Sequence, residues 1–213
     1  MKFSRPDADI FVPDSGPSAG LAPAAALART THLCVIAHQD DIEINANPAV
    51  AADLATIFGG CRPSVVYLHQ PADKHDTHVG CLLRCLEALR ALPRERRPAR
   101  VLGVEGWRDL DWLADDQKVP LDASAHPALA EKLVAVFASQ IAGGKHYDLA
   151  ALGRRLANAT FFASHATDTA SALSFAMDLT PLVHDEKLSV AEFTLAHVER
   201  LQADVTARVK KFG

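Results

Sequence analysis

Short buried strands alternating with amphipathic helices predict an α/β fold with a mostly parallel sheet. Two apolar runs of strand length carry this reading, His32–Ala37 (HLCVIA) and Ser64–His69 (SVVYLH), and each ends abruptly in polar residues. A third observation is helical spacing of Val79, Leu82, Leu83, Leu86 and Leu89 within Thr77–Leu92. Folds of this class place their sites beyond the C-terminal ends of strands, where both polar clusters fall.

The remaining elements follow in order. Residues 1–30 read as an N-terminal arm, rich in Pro, Asp, Gly and Ser, with a short helix over Leu21–Arg29. Residues 31–213 read as a single domain. After the first strand, Val50–Phe58 is helical and Gly59-Gly60 stops it. Pro93 ends the helix that follows the second strand, and Arg94–Arg100 reads as an exposed turn. Val101–Val104 is a third strand. His126–Ile141 and Tyr147–Phe162 are helices, Ala172–Met177 an edge strand, and Val190–Lys210 a final helix whose terminal cations suit its dipole. The apolar face of that helix (Phe193, Leu195, Val198, Leu201, Val205) either docks on the domain or pairs with a second copy.

Composition narrows the function classes. Apolar residues make up 49% of the chain, enough for a real core. A formal charge of -4 gives no electrostatic case for nucleic acid or an anionic membrane as partner. No apolar run has the length of a membrane span, and Met1–Pro13 lacks the apolar centre of a signal peptide. Cys34, Cys61, Cys81 and Cys85 form no C-x-x-C pair and read as small core residues. A cytoplasmic protein acting on a small molecule is the expectation.

The chemistry concentrates in two motifs. His38, Asp40, Asp41 and Glu43 follow the first strand directly. Carboxylates packed this closely repel unless a cation or a shared proton relieves them, and a divalent ion would do so. A third ligand must come from elsewhere, and the candidates are His75 and His78, three residues apart at the start of a helix. Two histidines and a carboxylate around an open position form a hydrolytic zinc arrangement. Zinc lowers the pKa of its water to about 7. A spare carboxylate can then take the water's proton, and a spare histidine can serve the leaving group or the oxyanion. Iron or manganese would accept the same ligands.

Ala37-His38-Gln39-Asp40-Asp41-Ile42-Glu43 resembles the A-H-P-D-D-x-E signature of the PIG-L/LmbE-like deacetylases, and His75-Asp76-Thr77-His78 looks like that family's H-x-D-H motif. The resemblance implies a Rossmann-like fold with helices on both faces and a zinc-dependent N-deacetylase acting on an N-acetylated amino sugar or similar small amide. It implies His38, Asp41 and His78 as metal ligands, Asp40 as general base, and His75 as general acid or oxyanion stabiliser. Oligomers are frequent in the family. Three departures stand out. Gln39 replaces the usual Pro. Thr77 stands where an Asp is expected to orient the catalytic histidine, with Asp73 and Asp76 as candidate substitutes. The two motifs lie only about 37 residues apart, short of a further strand–helix unit.

Other residues complete the expected pocket. Trp107 is a candidate sugar platform and Arg108 an anion clamp, both after the third strand. Lys145, Arg154 and Arg155 are candidate anion binders, and His165 a candidate for the far wall. Two other functions fit the same sequence: a metal-dependent hydratase of a carboxylated small molecule, and a shortened, catalytically impaired binding module.

Overall fold

The computed structural model describes residues 2–4, 6, 9–36, 48–105, 108–136, 141, 146–162 and 165–213. Helices are α1 Pro23–Ala28, α2 Pro48–Gly60, α3 Asp76–Arg90, α4 Pro127–Ala135, α5 Tyr147–Phe161, α6 Thr180–His184 and α7 Val190–Phe212. Strands are β1 His32–Cys34, β2 Val65–His69, β3 Arg100–Val104, β4 Lys118–Asp122 and β5 Leu173–Asp178. The chain is therefore α/β, and compatible with a Rossmann-like fold. Among the described residues no helix is long and apolar enough to cross a membrane.

Two compact units emerge. The first comprises residues 1–103 and 178–199, the second residues 104–177 and 200–213. In the first unit the strand order is β1-β2-β3. β1 and β2 run parallel, with Leu33 opposite Val66. A parallel pair needs a crossover connection, and α2 lies between these strands in the chain. α3 makes the same kind of connection from β2 to β3. The expected strand over His32–Ala37 is shorter than its apolar run, ending at Cys34.

One face of β2 is fully buried, with Val66 and Leu68 inaccessible, while Val65 and Tyr67 on the other face are half-buried. Its partners in the core include Phe58 of α2, Leu82, Leu86 and Leu89 of α3, and Val101 and Leu102 of β3. Burying side chains of this size contributes about 1.5–3 kcal/mol each. The helical spacing read from the sequence is the reason: Leu82, Leu86 and Leu89 share one stripe of α3, together with Cys81 and Cys85. Cys61, Cys81 and Cys85 are core residues as expected, whereas Cys34 is exposed.

The arginine-rich segment after α3 is more than an exposed turn. The Arg97 side chain is 4% exposed. It donates to the carbonyls of Leu92, Val183 and Arg90 and pairs with Glu186. Arg90 donates to the carbonyls of Leu182 and Leu188. The planar, multi-donor guanidinium satisfies carbonyls that would otherwise be orphaned beside the last turn of α3 and around α6. A charge count along the sequence could not distinguish this from a solvated cluster.

In the second unit β4 and β5 pair antiparallel, with Pro120 opposite Phe175. β4 had no clear apolar pattern (KVPLD), and β5, expected as an edge strand, is paired along its length by it. α4, Pro127–Ala135, falls within the expected His126–Ile141, of which residues 137–140 lie outside the described residues. On α7, Leu195, Val198 and Val205 are exposed while Phe193 and Leu201 are half-buried. Most of the expected apolar face is therefore open to solvent.

Gly103 closes the sheet around the end of β2. A Cβ there would lie 2.9 Å from the Leu179 side chain and 3.2 Å from the Gln70 backbone. Gly103→Ala is expected to destabilise the protein by about 1–3 kcal/mol, since backbone cannot yield as a side-chain tip does. Urea unfolding would measure it, and an unchanged midpoint would contradict this close packing.

Candidate metal-binding cluster

The cluster is built on the loop between β2 and α3. Gln70, fully buried, accepts through Oε1 from the Ala72 amide at 2.7 Å and shapes the turn. Three residues on, Asp73 sits with its side chain 1% exposed. Its Oδ1 accepts from the His75 amide at 3.0 Å, an aspartate turn that delivers the chain into α3. Its Oδ2 lies 2.8 Å from His78 Nδ1. His75 is the N-cap residue of α3 and His78 lies in its first turn, so their three-residue spacing puts both on one side.

One carboxylate therefore holds the His78 ring and the His75 backbone. The His75 ring also approaches it, Nδ1 to Oδ1 at 3.4 Å. Of the two candidate carboxylates, Asp73 pairs with His78, whereas Asp76 is exposed. Burial raises the Asp73 carboxyl, but the His78 hydrogen bond and the His75 amide, with the fields of His78 and His69, outweigh it. The net effect holds the carboxyl below its usual range. With Asp73 ionised, His78 Nδ1 carries the hydrogen and donates, and Nε2 is directed away from the carboxylate.

His69, the last residue of β2, joins the cluster. It is 8% exposed, and its ring stacks on that of His78 with centroids 3.9 Å apart and planes 10° apart. Burial, then the neighbouring His78, push its pKa down to about 4 against the opposing pull of Asp73. At neutral pH His69 is uncharged. The sequence showed that β2 ends in a histidine, but nothing in strand periodicity singled it out. The usable signal was its place at the C-terminal end of a buried strand.

His69, Asp73 and His78 form a group that could hold a metal ion: one donor atom from each lies within 4.8 Å of the others. Donors sharing a tetrahedral ion at about 2.0–2.2 Å stand about 3.3 Å apart, so this group would have to contract. Asp73 already has both oxygens engaged, and the two rings are face to face. The donor set fits a divalent ion best through His78 Nε2, with Asp73 behind it as a hydrogen-bonded support.

The structure brings His75 and His78 together with Asp73 and His69. His38, Asp40 and Asp41 lie outside the described residues, as do Trp107 and Lys145. The other expected site residues belong to the second unit. There Arg154 is half-buried with Nη1 3.7 Å from Asp111 Oδ2, and Arg108 and His165 are exposed. The backbone around Arg108 is unusual: Asp109 and Leu110 have φ of 54° and 59°, a left-handed pair without glycine. Asp109 is 4% exposed, and no hydrogen bond to its Oδ2 exists among the described residues. Burial raises its pKa, partly offset by a hydrogen bond from Asn158 and the charge of Arg154.

No known family, curated protein or solved structure matches this chain.

Two outcomes follow. Asp73→Ala would leave buried donors of His78 and His75 without an acceptor and is expected to cost about 1–3 kcal/mol in chemical unfolding of the metal-free protein. A loss below a few tenths would mean water replaces the carboxylate. For Asp109 the folded state holds its proton more tightly than the unfolded chain. Wild-type stability therefore falls as pH rises from the ordinary carboxylate value through the raised one. Asp109→Asn, whose side chain also tolerates positive φ, should be more stable than wild type at neutral pH and lose that advantage near about pH 3. Parallel unfolding curves at the two pH values decide this.

Proposed function

We propose that the chain is a metal-dependent hydrolase of a carbon–nitrogen bond, an N-deacetylase acting in the cytoplasm on an N-acetylated amino sugar or similar small amide. The observation that supports it is the pair His75 and His78 held by one buried carboxylate, at the C-terminal end of β2 and the start of α3. The resemblance of His38-Gln39-Asp40-Asp41 and His75-Asp76-Thr77-His78 to the PIG-L/LmbE-like motifs supplies the reaction class.

On this reading His38, Asp41 and His78 would hold a divalent ion, zinc before iron or manganese given imidazole and carboxylate donors. The ion, when bound, acidifies a water and polarises the acyl oxygen. Asp40 takes the proton of the attacking water. His75, 29% exposed and so open to a substrate, supports the acyl oxygen as charge develops or protonates the departing amine. Asp73 orients the His78 imidazole and anchors the His75 backbone before substrate arrives, so little reorganisation of His78 is left for the reaction itself.

Protein purified without chelator is expected to carry about one zinc per chain by elemental mass spectrometry. His38→Ala combined with His78→Ala should remove it. Asp40→Asn should keep the metal and lose acetate release from N-acetylglucosamine derivatives by about 100-fold or more. Full turnover in that variant would dismiss Asp40 as the base. A wild-type chain that refuses added zinc would move the shortened binding module ahead of the enzyme.

A further inference from the structure

Three imidazoles and one carboxylate share the end of β2, and their geometry assigns them different work. We propose that His69 is a positioning residue: its ring is a flat plate that holds the plane of His78, and it is not a ligand of the ion. This rests on the reading of His78 as a metal ligand.

The argument begins with where a coordinating imidazole keeps its lone pair. A metal ion bound to a ring nitrogen lies in the plane of that ring, so two rings that share one ion have planes that meet at it. The rings of His69 and His78 are parallel to within 10° and stacked at 3.9 Å. Planes so related do not meet within coordination distance of either ring. An ion in the plane of His78 therefore passes His69 by, although the two side chains are near enough to look like a pair of ligands.

The same stack has a positive role. The hydrogen bond from His78 Nδ1 to Asp73 Oδ2, 2.8 Å long, fixes where that nitrogen lies. It leaves the ring able to pivot about the line between the two atoms. A planar neighbour packed against its face removes this pivot by steric contact. His69 is suited to the task because it is the terminal residue of a buried strand and 8% exposed. His75 offers no such plate: its ring stands 4.8 Å from that of His78 and is tilted by 45°. Carboxylate and plate together aim Nε2, which is what a preorganised ligand requires.

The test compares His69→Phe and His69→Tyr, which keep a flat ring without the imidazole nitrogens, with His69→Leu, which fills the volume without a flat face. Two readouts are taken on the full chain. One is zinc affinity by competition with a chromophoric chelator. The other, on metal-free protein, is the imidazole N–H proton resonance of His78, assigned by its loss in His78→Gln. Thermal unfolding confirms that each variant is folded. A flat ring at position 69 is expected to keep wild-type zinc affinity and the sharp N–H resonance. His69→Leu is expected to weaken zinc by about 10- to 100-fold, the usual effect of losing a supporting group, and to broaden the resonance. Loss of zinc from the Phe and Tyr variants as complete as in His78→Ala would overturn the proposal and make His69 a ligand. Leu behaving like Phe in both readouts would overturn it as mere filling of space. Should the wild type bind no zinc while the resonance still depends on a flat ring, the plate stands and the metallohydrolase reading falls.

Discussion

The buried carboxylate of Asp73 is the constraint on which the candidate site depends. It closes a short loop, starts a helix at the His75 amide and aims the His78 ring, all with two oxygen atoms. A carboxylate in so dry a place is tolerated only because it accepts hydrogen bonds from groups that match its charge. The chain solves helix initiation and histidine orientation with one residue, so the loop cannot relax without moving the imidazoles.

Around that point the first unit is organised for stiffness rather than for size. Leu82, Leu86 and Leu89 seat α3 on the sheet, and Gly103 lets β3 close on the backbone just past His69. Arg97 and Arg90 gather loose carbonyls near the far end of the same helix. These contacts lie well away from the histidines along α3. Their effect is to hold the helix axis, and through it the first turn in which His78 sits.

The second unit has a different character. Its antiparallel pair, β4 and β5, carries a short core of Leu173, Phe175 and Met177. Asp109 and Leu110 take up left-handed backbone while nearly inaccessible to solvent. A conformation of that kind costs of order 1–3 kcal/mol per residue and persists only where surrounding packing insists on it. Leu110 and Leu113 supply such packing, both buried within a few residues of the strain.

Much of this was legible from periodicity. The apolar runs marked β2 and β3, the 3.6-residue stripe marked α3, and the crossovers marked a parallel pairing of β1 with β2, because these patterns are local and repeat. The paired histidines were legible too, since three-residue spacing on a helix has one geometric meaning. Four features were decided only by tertiary structure. β4 has no pattern of its own and exists because β5 lies beside it. Arg97 is buried because carbonyls distant in sequence converge on it. Asp73 rather than Asp76 meets the His78 ring because the turn, not the spacing, sets which carboxylate faces it. His69 meets His78 face to face because a strand end and a helix start were brought together by the loop between them. Sequence determines what each segment can bury; which side chains then share a point in space depends on the packing of all of them at once.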